Sequence, residues 1–180
     1  MRLRMRSALA LLGAAIIAVT TFAFAAPAQA DFHGSYIKSA RTGKCVSGIV
    51  GSTAILQEPC ADAPGQAWFF GPGLTTNQPF QISNFSTGQC IDITNFGNGA
   101  PVVQTDCNLQ QTGTYWLRQS AGTVRSGAGT ANAFRYKSAF ANVCLDLENG
   151  LFDNDLPLQT WTCNNSTDNQ RWSHVGPPLT

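Results

Sequence analysis

The feature that most restricts this chain is a unit of sequence written three times, each copy carrying two cysteines. The stretch G-S-Y-I-K-S-A-R-T-G-K-C-V-S from Gly34 returns as P-F-Q-I-S-N-F-S-T-G-Q-C-I-D from Pro79. It returns again as A-F-R-Y-K-S-A-F-A-N-V-C-L-D from Ala133. Ile37, Ile82 and Tyr136 stand eight residues before the first cysteine of each unit, and Ser35, Phe80 and Phe134 stand ten before. Spacing by two is the period of a strand. Gly43, Gly88 and Asn142 follow two residues before that cysteine; these residue types tolerate positive φ, which predicts the same tight turn, and hence a hairpin, in each unit. An apolar residue recurs directly after the first cysteine (Val46, Ile91, Leu145) and another five before the second (Ile55, Val102, Leu158), which predicts six core positions. Trp68, Trp116 and Trp172 close the units. Large aromatics bury most of their area, so the three indoles read as a shared core layer in preference to surface platforms.

The first thirty residues stand apart from this pattern. Arg2, Arg4 and Arg6 precede an apolar run from Ala8 to about Ala26, and Ala28-Gln29-Ala30 ends it, the form of a secretory signal cleaved after Ala30. A membrane anchor is the rival reading, but Gly13, Thr20 and Thr21 dilute the run and Pro27 precedes a small-x-small site. The mature chain from Asp31 to Thr180 would have 150 residues, enough for one domain. Without the three signal arginines it carries 8 basic and 10 acidic residues, a formal charge of −2 that favours neither nucleic acid nor an anionic membrane as partner. All six cysteines lie in the mature part, and an even count in an exported chain predicts disulfides. Separations of 15, 17 and 19 within the units point to Cys45–Cys60, Cys90–Cys107 and Cys144–Cys163. A metal site is not expected, since there is no Cys-x-x-Cys and His33 and His174 are the only histidines; no cofactor is implied either.

First cysteines are 45 residues apart between units one and two and 54 apart between two and three. The excess falls on Ser120 to Ala133, small and polar, which reads as a loop. Three units of this size are too small to be separate domains and would close around a common axis. The repeated C-[LIV]-D, the second cysteine about seventeen residues on, and the terminal Q-x-W at Gln66-Ala67-Trp68 and Gln170-Arg171-Trp172 resemble the ricin B-type lectins. The resemblance covers nearly all of the mature chain. It implies an all-β fold, a β-trefoil of twelve strands in three lobes (about 34–76, 77–120 and 131–176) with one disulfide per lobe, and it implies carbohydrate as the partner.

In that family a working lobe holds sugar between the C-x-D carboxylate, an aromatic two residues before the second cysteine, and the Asn-Gln that opens Q-x-W. The third unit matches throughout. The resemblance implies that Asp146 accepts hydrogen bonds from adjacent hydroxyls and that Trp161 stacks on the apolar face of the ring. It further implies that Asn169 shares a hydroxyl with Asp146, Gln170 holds the carboxylate, and Gln159 lines the same pocket. The second unit keeps Asp92, a weak second site at most, because Thr105 replaces the aromatic, Gly113-Thr114 replaces Asn-Gln, and only Phe96 could substitute. The first unit has Ser47 for the aspartate, Glu58 or a deletion for the aromatic, and Gly65 for the asparagine; it should not bind.

The expected function is therefore that of a secreted, extracellular carbohydrate-binding protein with one good site, for galactose-type sugars or a polysaccharide. At roughly 0.3 kcal/mol per ligand atom, one shallow site gives near-millimolar affinity, so retention calls for a polymer ligand, self-association or attachment to something else. No catalytic domain accompanies the trefoil in these 180 residues. A small glycosidase is the second class, with Asp146 paired to Glu148, Asp153 or Asp155, but acidic loop residues are usually just solvated and no Ser-His-Asp pattern is visible. A protein-binding trefoil, of inhibitor or toxin-subunit type, is the third, with Ser120 to Ala133 as its acting loop. Sequons at Asn84 and Asn165 matter only in a host that glycosylates on export.

Overall fold

The computed structural model describes residues 34–176 apart from 62, 73, 75–77, 110, 127 and 128. The expected signal segment 1–30 and His33 lie outside the described residues. Each repeat folds into four strands. They are β1 (Ser35–Ser39), β2 (Cys45–Gly48), β3 (Ile55–Glu58) and β4 (Ala67–Phe70) in the first lobe. The second lobe has β5 (Ile82–Asn84), β6 (Gln89–Ile93), β7 (Ala100–Asp106) and β8 (Trp116–Ser126), and the third has β9 (Gly129–Ser138), β10 (Val143–Leu147), β11 (Leu156–Thr162) and β12 (Trp172–Val175). Six strands close a ring: β1 pairs with β4, β4 with β5, β8 with β9, β9 with β12 and β12 with β1, while a bridge between Phe80 and Trp116 joins the β5 and β8 sides. The other six form the hairpins β2–β3, β6–β7 and β10–β11, which meet through β11 with β3, β11 with β7, and the Ala54–Val103 bridge. The fold is an all-β trefoil.

The repeat positions supply its core. Val46, Ile91, Leu145, Ile55, Val102 and Leu158 are all buried, with Ile37, Ile82 and Tyr136 beside them. The three tryptophans are buried too, and each solves the polar problem of its indole in the same way. Trp68 Nε1 donates to Val46 O (2.9 Å), Trp116 Nε1 to Ile91 O (3.1 Å) and Trp172 Nε1 to Leu145 O (3.2 Å). Each bond ties the strand after the second cysteine to the strand holding the first. The disulfides join Cys45 to Cys60, Cys90 to Cys107 and Cys144 to Cys163, one in each lobe. Inside the ring, Tyr136 OH meets His174 Nε2 among Phe70, Phe80 and Phe134. Burial pushes the tyrosine well above its ordinary pKa, and burial and Arg118 lower the histidine to about 4, so the pair is neutral near pH 7.

A second repeated device joins the lobes. Gln57, Gln104 and Thr160 stand three residues before the second cysteine, and all are buried. Gln57 Nε2 donates to Leu151 O and Asp153 O, Gln104 Nε2 to Ile49 O and Ser52 O, and Thr160 Oγ1 to Gly97 O. Each latches the hairpin loop of the preceding lobe, with the third lobe preceding the first.

Two expectations are corrected. Gly43 and Gly88 adopt φ of 73° and 68°, but Asn142 is not among the residues with positive φ. The third turn keeps only the shared side-chain bond, Phe140 N to Ser138 Oγ, the counterpart of Arg41 N to Ser39 Oγ and Ser86 N to Asn84 Oδ1. An L-residue avoids the left-handed region where another closure is open to it. The stretch Ser120 to Ala133 is not a loop: β8 and β9 run on through it as a hairpin, from Thr123 opposite Asn132 to Ser126 opposite Gly129, after an irregularity between Ser120 and Thr123. Its exposed ribbon lacks the apolar alternation that marks a half-buried strand, and Arg171 anchors it by donating to Ala121 O and Thr123 O. Asn84 is buried, with Nδ2 donating to Gly65 O and Oδ1 accepting from Ser86 N and Thr87 N, so the folded chain does not present that sequon.

Candidate carbohydrate-binding site

Asp146 sits on β10 directly opposite Gln159 on β11, and Cys144 opposite Trp161, so one hairpin carries three of the five expected residues. The single 3-10 turn Asp168–Gln170 brings the other two. All five line one cleft of about 270 Å³, together with Asn149, Asn164 and Thr167, which sequence reasoning missed. Asp146 is only 4% exposed, and both its oxygens are held: Oδ1 accepts from Gln159 Nε2 and Oδ2 from Gln170 Nε2, each at 3.0 Å. Burial raises its pKa, and the two amide bonds pull it down without cancelling that rise. Gln170 is itself buried and locked, since Oε1 accepts from Asn164 N at 2.8 Å and Nε2 also donates to Thr162 O. Trp161 stands 46% exposed, in contrast to the three core indoles.

The turn is built by local chemistry. Thr167 Oγ1 accepts from Asn169 N and Asn164 Oδ1 from Ser166 N, side-chain bonds that favour turns over strand. Asn149 (φ 51°) and Gly150 (φ 62°) take the chain through left-handed backbone after β10. Glu-Asn-Gly is a turn signal, and it could have flagged Asn149. A Cβ on Gly150 would lie 2.5 Å from Asn169 Oδ1 and 3.1 Å from Arg41 Nε. Gly150→Ala is therefore expected to push Asn169 out of place and to strain the backbone: about 1 kcal/mol or more of stability lost, with sugar affinity reduced, as read by thermal denaturation and titration of the same sample.

The other two lobes repeat the frame with different residues at the positions that line the cleft. Strand register places Glu58 opposite Cys45 and Thr105 opposite Cys90, where the third lobe has Trp161 opposite Cys144. Gln66 repeats the lock of Gln170, donating to Pro59 O and accepting from Ala61 N, but Ser47 offers no carboxylate to hold. Gly65 and Gly113 occupy the place of Asn169. A Cβ on Gly65 would meet Gly48 O at 2.6 Å, and one on Gly113 would meet Asp92 Oδ1 at 2.1 Å and Ile93 O at 2.5 Å. In both lobes the turn has settled onto the strand, leaving no room for a methyl group. Asp92 turns its oxygens to Ile93 N (2.7 Å) and Thr105 Oγ1 (3.0 Å), with no glutamine amide among the described residues holding it as Gln159 and Gln170 hold Asp146. Phe96, though exposed, lies in the loop that packs on the third lobe: Gly97 O accepts from Thr160 Oγ1, and Asn98 Oδ1 from Thr162 N and Oγ1. Among the described residues no group of three His, Cys, Asp or Glu could hold a metal ion.

Comparison with known proteins agrees with this architecture. Residues 78–176 match the family model described as ricin-type beta-trefoil lectin domain, and residues 22–105 match ricin-type beta-trefoil lectin domain-like. No curated protein matches the sequence. Among solved structures, the designed three-fold symmetric protein ThreeFoil superposes with a TM-score of 0.65 at 17% identity, over 79% of this chain and 98% of that one. The Macrolepiota procera ricin B-like lectin, solved with lactose, gives 0.61 at 22% identity, over 83% and 99%. The C-half of the earthworm R-type lectin, solved with GalNAc, gives 0.56 at 15%, over 78% and 95%. With the family model spanning more than half of its length, the chain belongs to the ricin-type beta-trefoil lectin domain family, a family of carbohydrate-binding domains.

Proposed function

We propose that this protein is a secreted lectin with one working sugar site, in the third lobe, for galactose-type sugars or a polysaccharide that carries them. One observation carries the reading: a buried carboxylate oriented by two amides and a half-exposed indole line the same open cleft. A sugar ring has hydroxyls on its edge and C–H groups on its face. Asp146 meets the edge as an ionised acceptor, whose hydrogen bonds are about twice as strong as those of a neutral one. Trp161 covers the face, and Asn169 and Asn149 add amides that both donate and accept. Because Gln159 and Gln170 fix Asp146 beforehand, little ordering remains to be done when sugar arrives. The lactose and GalNAc in the two lectin structures support the galactose class as the first to test. Three disulfides fit an oxidising compartment and so support secretion.

Catalysis finds no support in the cleft. Glycosidases need two facing carboxylates, whereas Asp146 is the sole acid among the lining residues and its oxygens face amides. The test is a glycan array with clustered presentation, probing protein exported and processed by its host beside Trp161→Ala. Binding to one sugar class is expected, with at least about tenfold weaker retention by the variant, since base or ring stacking on an indole is worth on the order of 1–3 kcal/mol. Equal binding by the variant would show that the site lies elsewhere.

A further inference from the structure

The third-lobe cleft does not end at its own lobe. Arg41 lies in the turn between β1 and β2 of the first lobe, yet Arg41 Nε and Asn169 Oδ1 both come within 3.1 Å of the point a Cβ on Gly150 would occupy. The guanidinium therefore borders the rim of the cleft formed by Asn169. Its carbon also stands 5.3 Å from the centre of the Phe152 ring. Phe152 is 57% exposed, too much for a core residue, and its carbonyl accepts from Lys44 Nζ, again from the first lobe. Arg41 makes no salt bridge among the described residues, where Arg171–Asp168 is the pair present. An exposed aromatic face and a fan of uncommitted N–H donors thus lie in line with the sugar site, on elements fixed by the Gln57 latch to Leu151 and Asp153.

The pseudo-threefold repeat shows what is particular here. Ser86 and Phe140 occupy the place of Arg41 at the other two lobe boundaries. Ser86 is short and lines a groove with Val50, Ser52 and Thr53, with no ring or cation among its lining residues. Phe140 packs edge-on against Tyr115 of the second lobe. The combination of long donor and exposed ring occurs at the boundary that borders the open cleft.

We propose that Arg41 and Phe152 form an outer subsite, built across the boundary of the third and first lobes, for the second sugar unit of an oligosaccharide whose terminal unit sits on Asp146 and Trp161. Arg41 donates to hydroxyl and ring oxygens of that second unit, and the exposed Phe152 ring beside the guanidinium covers part of its C–H surface. The proposal rests on the third-lobe lectin reading. It makes the preferred ligand a chain of sugars instead of a monosaccharide.

The test is titration of galactose, β-linked galactobiose and galactotriose into wild type, Arg41→Ala, Phe152→Ala and Asp146→Ala. In the wild type the disaccharide is expected to bind roughly fivefold or more tightly than galactose, with little gain from a third unit. Arg41→Ala and Phe152→Ala, both on exposed side chains, should bring the disaccharide to within about twofold of galactose while galactose itself is unchanged. Equal affinity for one and two units in the wild type overturns the subsite, as does a variant that weakens galactose as much as galactobiose. Binding that survives Asp146→Ala sinks the third-lobe reading itself, and a wild type that binds none of the series overturns the galactose class and this inference together.

Discussion

Asp146→Ala is expected to lower sugar affinity by about a hundredfold or more, which for a weak single site means no detectable binding. Two hydrogen bonds from sugar hydroxyls to an ionised acceptor are lost at on the order of 1.5–3 kcal/mol each. The fold should survive at a cost of about 1–3 kcal/mol, because Gln170 keeps Thr162 O as a partner and Gln159 is only half-buried. Asp146→Asn is no gentler: an asparagine oxygen can accept from one glutamine, but its NH2 then confronts the NH2 of the other. Acid should act on the wild type as the substitution does. Since burial raises the pKa of Asp146 above 3.8, the carboxylate protonates sooner than an exposed aspartate, and sugar affinity falls as pH drops through that raised value. Stability moves the other way. A carboxyl whose folded pKa is raised binds its proton more tightly in the folded state, so this group favours folding at low pH and withdraws that support as pH rises from 3.8 through the folded value. Isothermal titration and thermal denaturation over the same pH series should therefore diverge as far as Asp146 is concerned. Affinity retained well below the ordinary aspartate range would contradict the role given to the carboxylate.

The second large effect is on folding. Trp172→Ala should cost about 3–5 kcal/mol, since it empties a fully packed indole site and orphans the Leu145 carbonyl. For a domain of this size that corresponds to a melting temperature lower by roughly 6 to 20 °C. Trp116→Ala, the equivalent change in the second lobe, should cost a similar amount. The two should differ in function. Leu145 immediately precedes Asp146, so Trp172→Phe, which keeps an aromatic ring in the core but loses the bond to Leu145 O, loosens the strand that carries the carboxylate and should weaken sugar binding. Trp116→Phe loosens Ile91 in the second lobe, away from the proposed site, and should leave binding as it was. Denaturant melts and sugar titration on the four variants check both halves.

Why the third lobe was legible in the sequence, and parts of its surroundings were not, follows from how each residue acts. The cysteines, the tryptophans and the six apolar positions act through identity and spacing, and a repeat displays both. Asp146, Gln159, Trp161, Asn169 and Gln170 were found together because strand pairing and a short turn keep them at fixed separations. Asn149 acts through a left-handed backbone set by packing, which spacing does not display. The ribbon from Ser120 to Ala133 is exposed and lacks the alternation by which a strand is recognised, so its small polar residues read as a loop. Arg41 and Phe152 lie over a hundred residues apart, and closure of the fold, through β1 with β12 and β3 with β11, brings the first lobe beside the third.

Gly65 and Gly113 have a consequence for what the folded molecule can do to its surroundings. A trefoil with three open lobes can grip three glycans at once and draw particles together. On the one-site reading proposed above, with no room for a side chain at Gly65 or Gly113, a single copy of this chain has one hand and is monovalent. Such a molecule coats a glycan surface, or moors whatever is attached to it, without cross-linking cells or precipitating a polysaccharide. Agglutination would have to come from a second copy, and its onset with protein concentration would report that association directly.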